Sequence, residues 1–281
     1  LYESIGQMHP FLMVSMLYDG CMEGGKALLN GGCRYLAGTM ELYGNVNAAN
    51  SLAVIKKLVF EEKTVSAQEL VQAMDDNFVG HERLRRMVLD VPKYGNDVPW
   101  VDELGAKWVN SFADGLRKYR NGRGGIYQMG LYTVSAHVPM GQNVAASADG
   151  RYARDPLADG GVSAMYGRDV SGPTALLHSV SRLPFEKASN GTLLNMKFLP
   201  QFFKTQTGIV KFTQLLRAVC RLGISHIQFN VLNEADLKDA QAHPENYRGL
   251  TVRVAGYTAY FTELARDLQD EIIARTTYEA I

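Results

Sequence analysis

Near the C-terminus the chain reads Arg253-Val254-Ala255-Gly256-Tyr257, with one glycine between an apolar stretch, Leu250 to Ala255, and a periodic segment. Taken alone, a glycine at such a junction serves geometry, because it accepts positive φ and lets the backbone turn tightly. Two other segments carry polar and titratable side chains in order. Tyr132 to Val138 alternates Thr133, Ser135 and His137, and Ile224 to Asn230 alternates His226, Gln228 and Asn230. Period-two alternation predicts one polar strand face in each. A barrel interior lined this way offers hydrogen bonds to a substrate and, at a histidine, proton transfer. The same pattern also suits an exposed sheet face or a buried network satisfied internally.

Gly20-Cys21-Met22-Glu23 sets a thiol two residues from a carboxylate, but its surroundings read as the interior of a helix. The cysteines, Cys21, Cys33 and Cys220, form no CxxC pair or His/Cys cluster, so neither a zinc nor an iron–sulfur site is expected. Asn121 to Gly125 is glycine-rich yet lacks the Lys and Ser/Thr of a phosphate loop, which leaves a connector. No G-x-S-x-G elbow frames Ser179 beside His178, so a hydrolase triad has no support.

Lys plus Arg equals Asp plus Glu at 29 each, so no net field favours nucleic acid or an anionic membrane. No apolar run approaches the roughly 20 residues of a membrane span, and the first residues lack the basic and apolar regions of a signal peptide. Sparse, odd cysteine usage fits a reducing cytoplasm. The chain begins without Met and close to an apolar segment, so a piece of something longer is expected.

These residues must be held by a frame that changes character along the chain. Phe11 to Asn30 predicts an apolar helix ended by Gly31-Gly32, and Asn47 to Phe60 an amphipathic one with Leu52, Ile55 and Val59 inward. Ser66-Ala67-Gln68-Glu69 is a capping box that opens a helix through about Met74. Helices are expected at His81–Leu89 and Val101–Tyr119. Further on, Ile126 to Val138, Thr192 to Leu199 and Ile224 to Leu232 read as strands, and Pro173 to Ser181 and Thr207 to Leu222 as helices. Asn233 caps another helix that stops before Pro244, and a last helix is expected over Ala259 to Arg275. Strands separated by helices predict an α/β architecture with a largely buried sheet. Tyr257, Phe261, Leu264, Leu268 and Ile272 are spaced to pin the glycine loop against a core, with Glu263, Arg266, Asp267 and Asp270 outward.

Val252 to Phe261, followed by Leu264, Gln269, Ile272, Ile273, Arg275 and Thr276, resembles the radical-bearing signature of the glycyl radical enzymes. Asn143 to Arg151, Gly172 to Ala175, Gly191 to Lys197, Gln228 to Asn230 and Asp239 to Glu245 are similar to other segments of that family. The combination looks closest to the branch of glycerol and propanediol dehydratases and choline trimethylamine-lyase, with pyruvate formate-lyase more distant. Losing a Cα hydrogen leaves a carbon radical between an amide nitrogen and a carbonyl, delocalised when the groups are coplanar. A side chain would crowd that centre, so the chemistry asks for glycine.

The resemblance implies the second half of a ten-stranded α/β barrel with a C-terminal glycyl-radical loop and helix. The expected division is a barrel part over 1–232 and a glycine radical domain over 233–281. Gly256 would store the radical, with Arg253 and Tyr257 positioning its loop, and Thr133, Ser135, His137, His226, Gln228 and Asn230 facing the barrel interior. A radical-SAM activating enzyme, carrying S-adenosylmethionine and a [4Fe-4S] cluster, would install the radical; no small-molecule cofactor or metal is expected in this chain. The thiyl cysteine and its glutamate would lie in a missing N-terminal part. Cys21 instead matches the family's later Asp-x-Cys helix leading to a Gly-Gly-x-x-Tyr turn. The implied activity is an oxygen-sensitive lyase or dehydratase of anaerobic metabolism, homodimeric at full length, that cleaves C–O, C–N or C–C bonds of a small substrate. The alternative is a non-catalytic radical-carrying subunit that complements an oxygen-damaged enzyme.

Overall fold

The computed structural model describes residues 2–280, with side chains from residue 4 onward. The N-terminal part is helical: α1 (Tyr2–Met8), α2 (Leu12–Ser15) and α3 (Cys21–Gly24) precede strand β1 (Gly38–Glu41). Helices α4 (Asn45–Val54), α5 (Ala67–Asp75), α6 (Glu82–Asp90) and α7 (Pro99–Leu116) follow. The second part alternates strands and helices: β2 (Tyr127–Gly130), α8 (His137–Gly141), α9 (Pro173–Ser181), β3 (Asn195–Phe198), α10 (Gln206–Arg221), β4 (Gln228–Val231) and α11 (Glu234–Ala242). It ends in β5 (Thr251–Arg253), β6 (Thr258–Tyr260), α12 (Arg266–Ala274) and β7 (Thr277–Tyr278).

β1 pairs with β2, and β3 lies between β4 and β7, all in parallel. A parallel bridge between Leu131 and Thr192 links the end of β2 to the approach to β3. Parallel neighbours need crossovers, which the helices supply. β3 is buried on both faces. Met196 and Phe198 point to the main core, where Phe198 meets Phe202, Phe203, Phe212, Phe229 and Tyr278 at ring separations of 5.5–6.2 Å. Asn195 and Lys197 point the other way and stand in register with Gln228 and Asn230 of β4. One sheet face is therefore aromatic and the other a row of buried polar groups.

Several helices match the expectations closely. Ser66 Oγ accepts from Glu69 N while Glu69 answers to Ser66 N, and Asn233 accepts from Ala235 N at the start of α11. α9 spans Pro173–Ser181 as expected. In α4 the inward face differs from the expected one: Ala49, Ala53 and Val54 are buried, whereas Leu52 is exposed. Gly105 of α7 explains part of this, since a Cβ there would come within 3.3 Å of Ala49, so two small residues let α4 and α7 approach.

Three further expectations fail for identifiable reasons. Phe11 to Asn30 is not one helix, because Phe11, Gly20 and Gly25 take positive φ and break it into short turns, with Leu12, Met13, Met16 and Leu17 more than half exposed. The strand expected over Ile126 to Val138 stops at Gly130; Ala136 N donates to Thr133 O, Val134 has φ +51°, and His137 opens α8. The helix expected from Ala259 starts only at Arg266, because Thr258, Ala259 and Tyr260 instead form the return arm of a hairpin.

Candidate active site

Gly256 sits at the tip of that antiparallel hairpin, where Thr251 faces Tyr260 and Arg253 faces Thr258. Val254 N donates to Tyr257 O at 3.0 Å and closes the turn. Gly256 has φ +84°, in the left-handed region that favours glycine, and it is exposed. A Cβ built on it would lie 3.2 Å from Leu193 Cδ1 and meet nothing else within 4 Å. Glycine is therefore required more by backbone conformation than by crowding.

The polar row on β3 and β4 grips this hairpin. Asn230 Oδ1 accepts from Arg253 N at 2.9 Å, and its Nδ2 donates to Arg253 O at 2.7 Å. Gln228 Oε1 accepts from Arg253 Nη2 at 2.8 Å, from Arg253 Nε at 3.2 Å and from Gly256 N at 3.2 Å. The Gln228 amide nitrogen donates to Asn195 Oδ1, and Asn195 Nδ2 reaches Asp159 Oδ2 at 2.6 Å and Val254 O at 3.1 Å. Arg253 Nη1 donates to Thr258 Oγ1 across the hairpin at 3.0 Å. Side chains thus satisfy the main-chain groups of residues 253, 254 and 256 that the short strands leave open.

Beneath the turn lies a buried ion cluster. Arg275 Nη1 donates to Val254 O at 2.8 Å, while its Nε and Nη2 hold both oxygens of Glu271 at 2.9 and 2.8 Å. Asp159 Oδ2 is 3.7 Å from Arg275 Nε. His137 Nε2 lies 3.1 Å from Glu271 Oε2, but off the line of a good hydrogen bond, and Thr133 Oγ1 is 3.3 Å from His137 Nδ1. Burial alone would raise the Glu271 carboxyl; Arg275 and then His137 overcome it and hold the group down at about 2. Burial raises the Asp159 carboxyl against the pull of Arg275, and Glu271 adds to the rise. Lys197 donates to Ile272 O and Ile273 O at the end of α12, and burial, then Arg275, pushes its ammonium down to about 8.

Placement of the expected residues is therefore uneven. Arg253, Gln228 and Asn230 converge on the glycine turn. Tyr257 packs with the partly buried rim of the second core, formed by Val252, Val254, Phe261, Leu268 and Ile272. That packing is the expected one, although a 3-10 turn at Phe261–Glu263 and α12 supply it, not one continuous helix. His226 precedes β4, half-buried, with Nδ1 unpaired; burial and then Arg253 lower its pKa. Thr133 and His137 are wholly buried and reach the turn through Glu271 and Arg275, and Ser135 lies in the bend between them. Asn195, Asp159 and Glu271 join the site beyond the expected residues, and Arg275, expected only as part of the signature, holds the turn directly. The i, i+4 spacing of Glu271 and Arg275 at the end of α12 is a sequence signal for that pair alone; Asn195 and Asp159 carry none.

Gly20, with φ +91°, leads directly into Cys21 at the first position of the four-residue α3, so Cys21 is less embedded in helix than expected. Glu23 Oε2 accepts from Gly20 N at 3.1 Å, and burial, then Cys33 and Glu23, raises the Cys21 thiol. Cys21 lines an apolar groove with Leu12, Met13 and Met16, whereas Gly256 neighbours Gln228 and Leu193. Ser179 is buried and its Oγ accepts from Asp97 N, a structural contact. Among the described residues no group of three His, Cys, Asp or Glu side chains is placed to hold a metal ion, and no helix is long and apolar enough to cross a membrane.

Two family descriptions match the chain: pyruvate formate lyase-like over residues 3–141 and glycine radical over residues 158–262, which includes Gly256. The chain is 42% identical over 277 residues to a probable dehydratase, YbiW, of Escherichia coli (strain K12), covering 95% of this chain and 34% of that one. It superposes on the glycerol-bound form of the B12-independent glycerol dehydratase from Clostridium butyricum with a TM-score of 0.95 and 39% identity, over 99% of this chain and 35% of that one. A structure concerned with 1,2-propanediol dehydration in Roseburia inulinivorans matches with a TM-score of 0.94 and 44% identity, over 98% and 36%. The chain belongs to the glycyl radical enzyme family, and its strands and helices are part of that family's α/β barrel. It spans about a third of the length of these relatives.

Proposed function

We propose that Gly256 is the radical store of a glycyl radical lyase, and that the observation carrying this reading is the hairpin-tip glycine itself. It has positive φ and an open Cα, it lies inside the residues that match the glycine radical description, and neighbouring side chains hold its turn. In this reading a radical-SAM activating enzyme, using S-adenosylmethionine and a [4Fe-4S] cluster, supplies a carbon-centred radical. That radical takes one hydrogen atom from the Gly256 Cα: the glycine C–H bond breaks and a C–H bond forms on the incoming carbon. Arg253 and Tyr257 position the loop, Arg253 through Gln228 and Thr258, Tyr257 through the apolar rim.

Gly256 then takes a hydrogen atom from a cysteine thiol in another part of a longer protein, and the thiyl so formed begins cleavage of a small substrate. The dehydratase names of the relatives favour C–O cleavage, with loss of water, over C–N or C–C cleavage. The barrel part and the glycine radical part divide near residue 232, at the end of β4. A homodimer working in an anaerobic cytoplasm completes the proposal.

The test is anaerobic activation of the full-length protein with a matched activating enzyme, followed by electron paramagnetic resonance. A glycine-centred doublet is expected, lost in Gly256→Ala. Exposure of the activated protein to oxygen should break the chain at Gly256. A doublet that survives Gly256→Ala, or no organic radical at all, rules the reading out.

A further inference from the structure

Resting on the assignment of Gly256 as the radical store, we propose that Gln228 is a positioning residue that holds the unactivated conformation of Gly256 and lets go when the radical forms. The geometry starts from one oxygen with three donors. Gln228 Oε1 takes Gly256 N–H at 3.2 Å and Arg253 at 2.8 and 3.2 Å. A carboxamide oxygen has two lone pairs, so the three donors compete, and the cationic ones are the stronger. The bond to Gly256 is therefore the one most readily surrendered.

The orientation of that carboxamide is fixed from behind. Asp159 Oδ2 accepts from Asn195 Nδ2, which leaves Asn195 Oδ1 to accept from the Gln228 amide nitrogen, and this turns Gln228 Oε1 toward the hairpin. An Asn or Gln amide is assigned by such a network, and here the chain ends on an acceptor at one side and on a guanidinium at the other. The polarity is the same from Asp159 to Arg253.

Backbone geometry then says what Gly256 has to do. A radical on Cα is delocalised into the preceding amide when φ is near 0° or 180°; at +84° the two π systems are close to perpendicular. The flanking groups cannot turn freely: Asn230 holds Arg253 N and O, and Arg275 and Asn195 hold Val254 O. The free unit is the Ala255–Gly256 peptide, whose one side-chain tether among the described residues is the N–H bond to Gln228. When a carbon-centred radical removes the Gly256 hydrogen, that peptide swings toward coplanarity, its N–H leaves Gln228, and Gln228 retains Arg253. Gln228 thereby opposes radical installation in the resting protein and makes no bond to Gly256 afterwards.

The experiment follows the growth of the glycine doublet in the full-length protein under anaerobic activation with S-adenosylmethionine, for wild type, Gln228→Leu and Gln228→Glu. Gln228→Leu also releases Arg253 and Asn195, but of these bonds only the one to Gly256 N opposes the swing of the peptide, so its loss should speed installation severalfold, about fivefold. Gln228→Glu loses the donor to Asn195 Oδ1 but is held toward the hairpin by Arg253 and presents a charged oxygen to Gly256 N, so installation should slow severalfold. The doublet's hyperfine splitting should be the same in all three, because Gln228 no longer touches the glycine once the radical exists. Amide exchange at Gly256 in the unactivated protein should quicken in the leucine variant and slow in the glutamate variant, which reports the tether directly. A normal wild-type doublet with both variants slowed, both unchanged, or a changed splitting overturns this inference alone. Absence of any wild-type glycine signal overturns the radical assignment and this inference with it.

Discussion

The segments 132–138 and 224–230 carry the same alternation of polar and apolar residues, yet the fold treats them differently. In the second, Gln228 and Asn230 lie on one face of β4, beside Asn195 and Lys197 of β3, and their carboxamides grip the glycine hairpin. In the first, the strand has already ended, and Thr133 and His137 meet because they are four residues apart around a turn that becomes α8. A period of two over seven residues fits a strand, but its first and last polar members also fit the spacing of one helical turn. The parallel neighbour β3 stabilises the first outcome at 228–231, whereas at 132–138 Val134 takes φ +51° and Pro139 cannot donate to a ladder.

The difference also sorts how each segment reaches Gly256. One reaches the turn through neutral carboxamides, Gln228 at Gly256 N and Asn230 at Arg253; the other supports it at Val254 O through a buried ionic cluster. The largest effect expected from perturbing that contrast is at the cluster's centre. Arg275→Ala leaves Glu271 and Asp159 buried without their cation and should cost about 3–5 kcal/mol, read as a lowered unfolding midpoint in denaturant. A loss under 1 kcal/mol would mean that the two carboxyls simply take up protons and that the cluster does not hold the turn.

Acid titration should produce the next largest change. The folded Glu271 carboxyl sits at about 2 against an ordinary 4.5, so its contribution is full above pH 4.5 and is lost as pH falls toward 2. That loss is on the order of 3 kcal/mol for Glu271 alone at about 1.4 kcal/mol per pKa unit. Asp159, raised by burial, acts in the opposite sense and reduces the net loss. Stability measured between pH 5 and pH 2.5 should therefore fall more steeply in wild type than in Glu271→Gln; parallel curves would refute the assignment.

The smallest effects compare the two segments position for position. Asn230→Ala strips Arg253 N of its side-chain partner, leaves Arg253 O only a long bond from Arg275 Nη1 at 3.5 Å, and should cost about 1–3 kcal/mol. Ser135→Ala, in the bend of the other segment, should stay within about 0.5 kcal/mol of wild type. Equal effects at the two positions would erase the distinction drawn between them.

Much of the frame was legible from local signals, since caps, prolines and helical periodicity act over a few residues. The Ser66 box, the Asn233 cap and the Pro173 start all lie where the sequence places them. Helix lengths were less secure wherever glycines with positive φ intervened, as in residues 11–30, or where aromatic and β-branched residues joined a hairpin, as at Thr258 to Tyr260. For the site, Arg253, Gly256, Tyr257, Gln228 and Asn230 were visible as motif or pattern. The ion cluster under the turn was not, because Asp159 and His137 are more than a hundred residues from Glu271 and Arg275.

By itself, then, the sequence determined the family and the glycine on which the proposed radical chemistry rests, because a backbone radical would need an unencumbered Cα and that requirement is written in one residue and its neighbours. Only the tertiary structure decided that Gly256 sits at a hairpin tip and that Gln228 holds its N–H. It also decided that Arg275, backed by Glu271, Asp159 and His137, carries the carbonyl two residues before it. Those contacts depend on strand register and on burial, which bring distant polar groups into one low-dielectric space where each must find a partner.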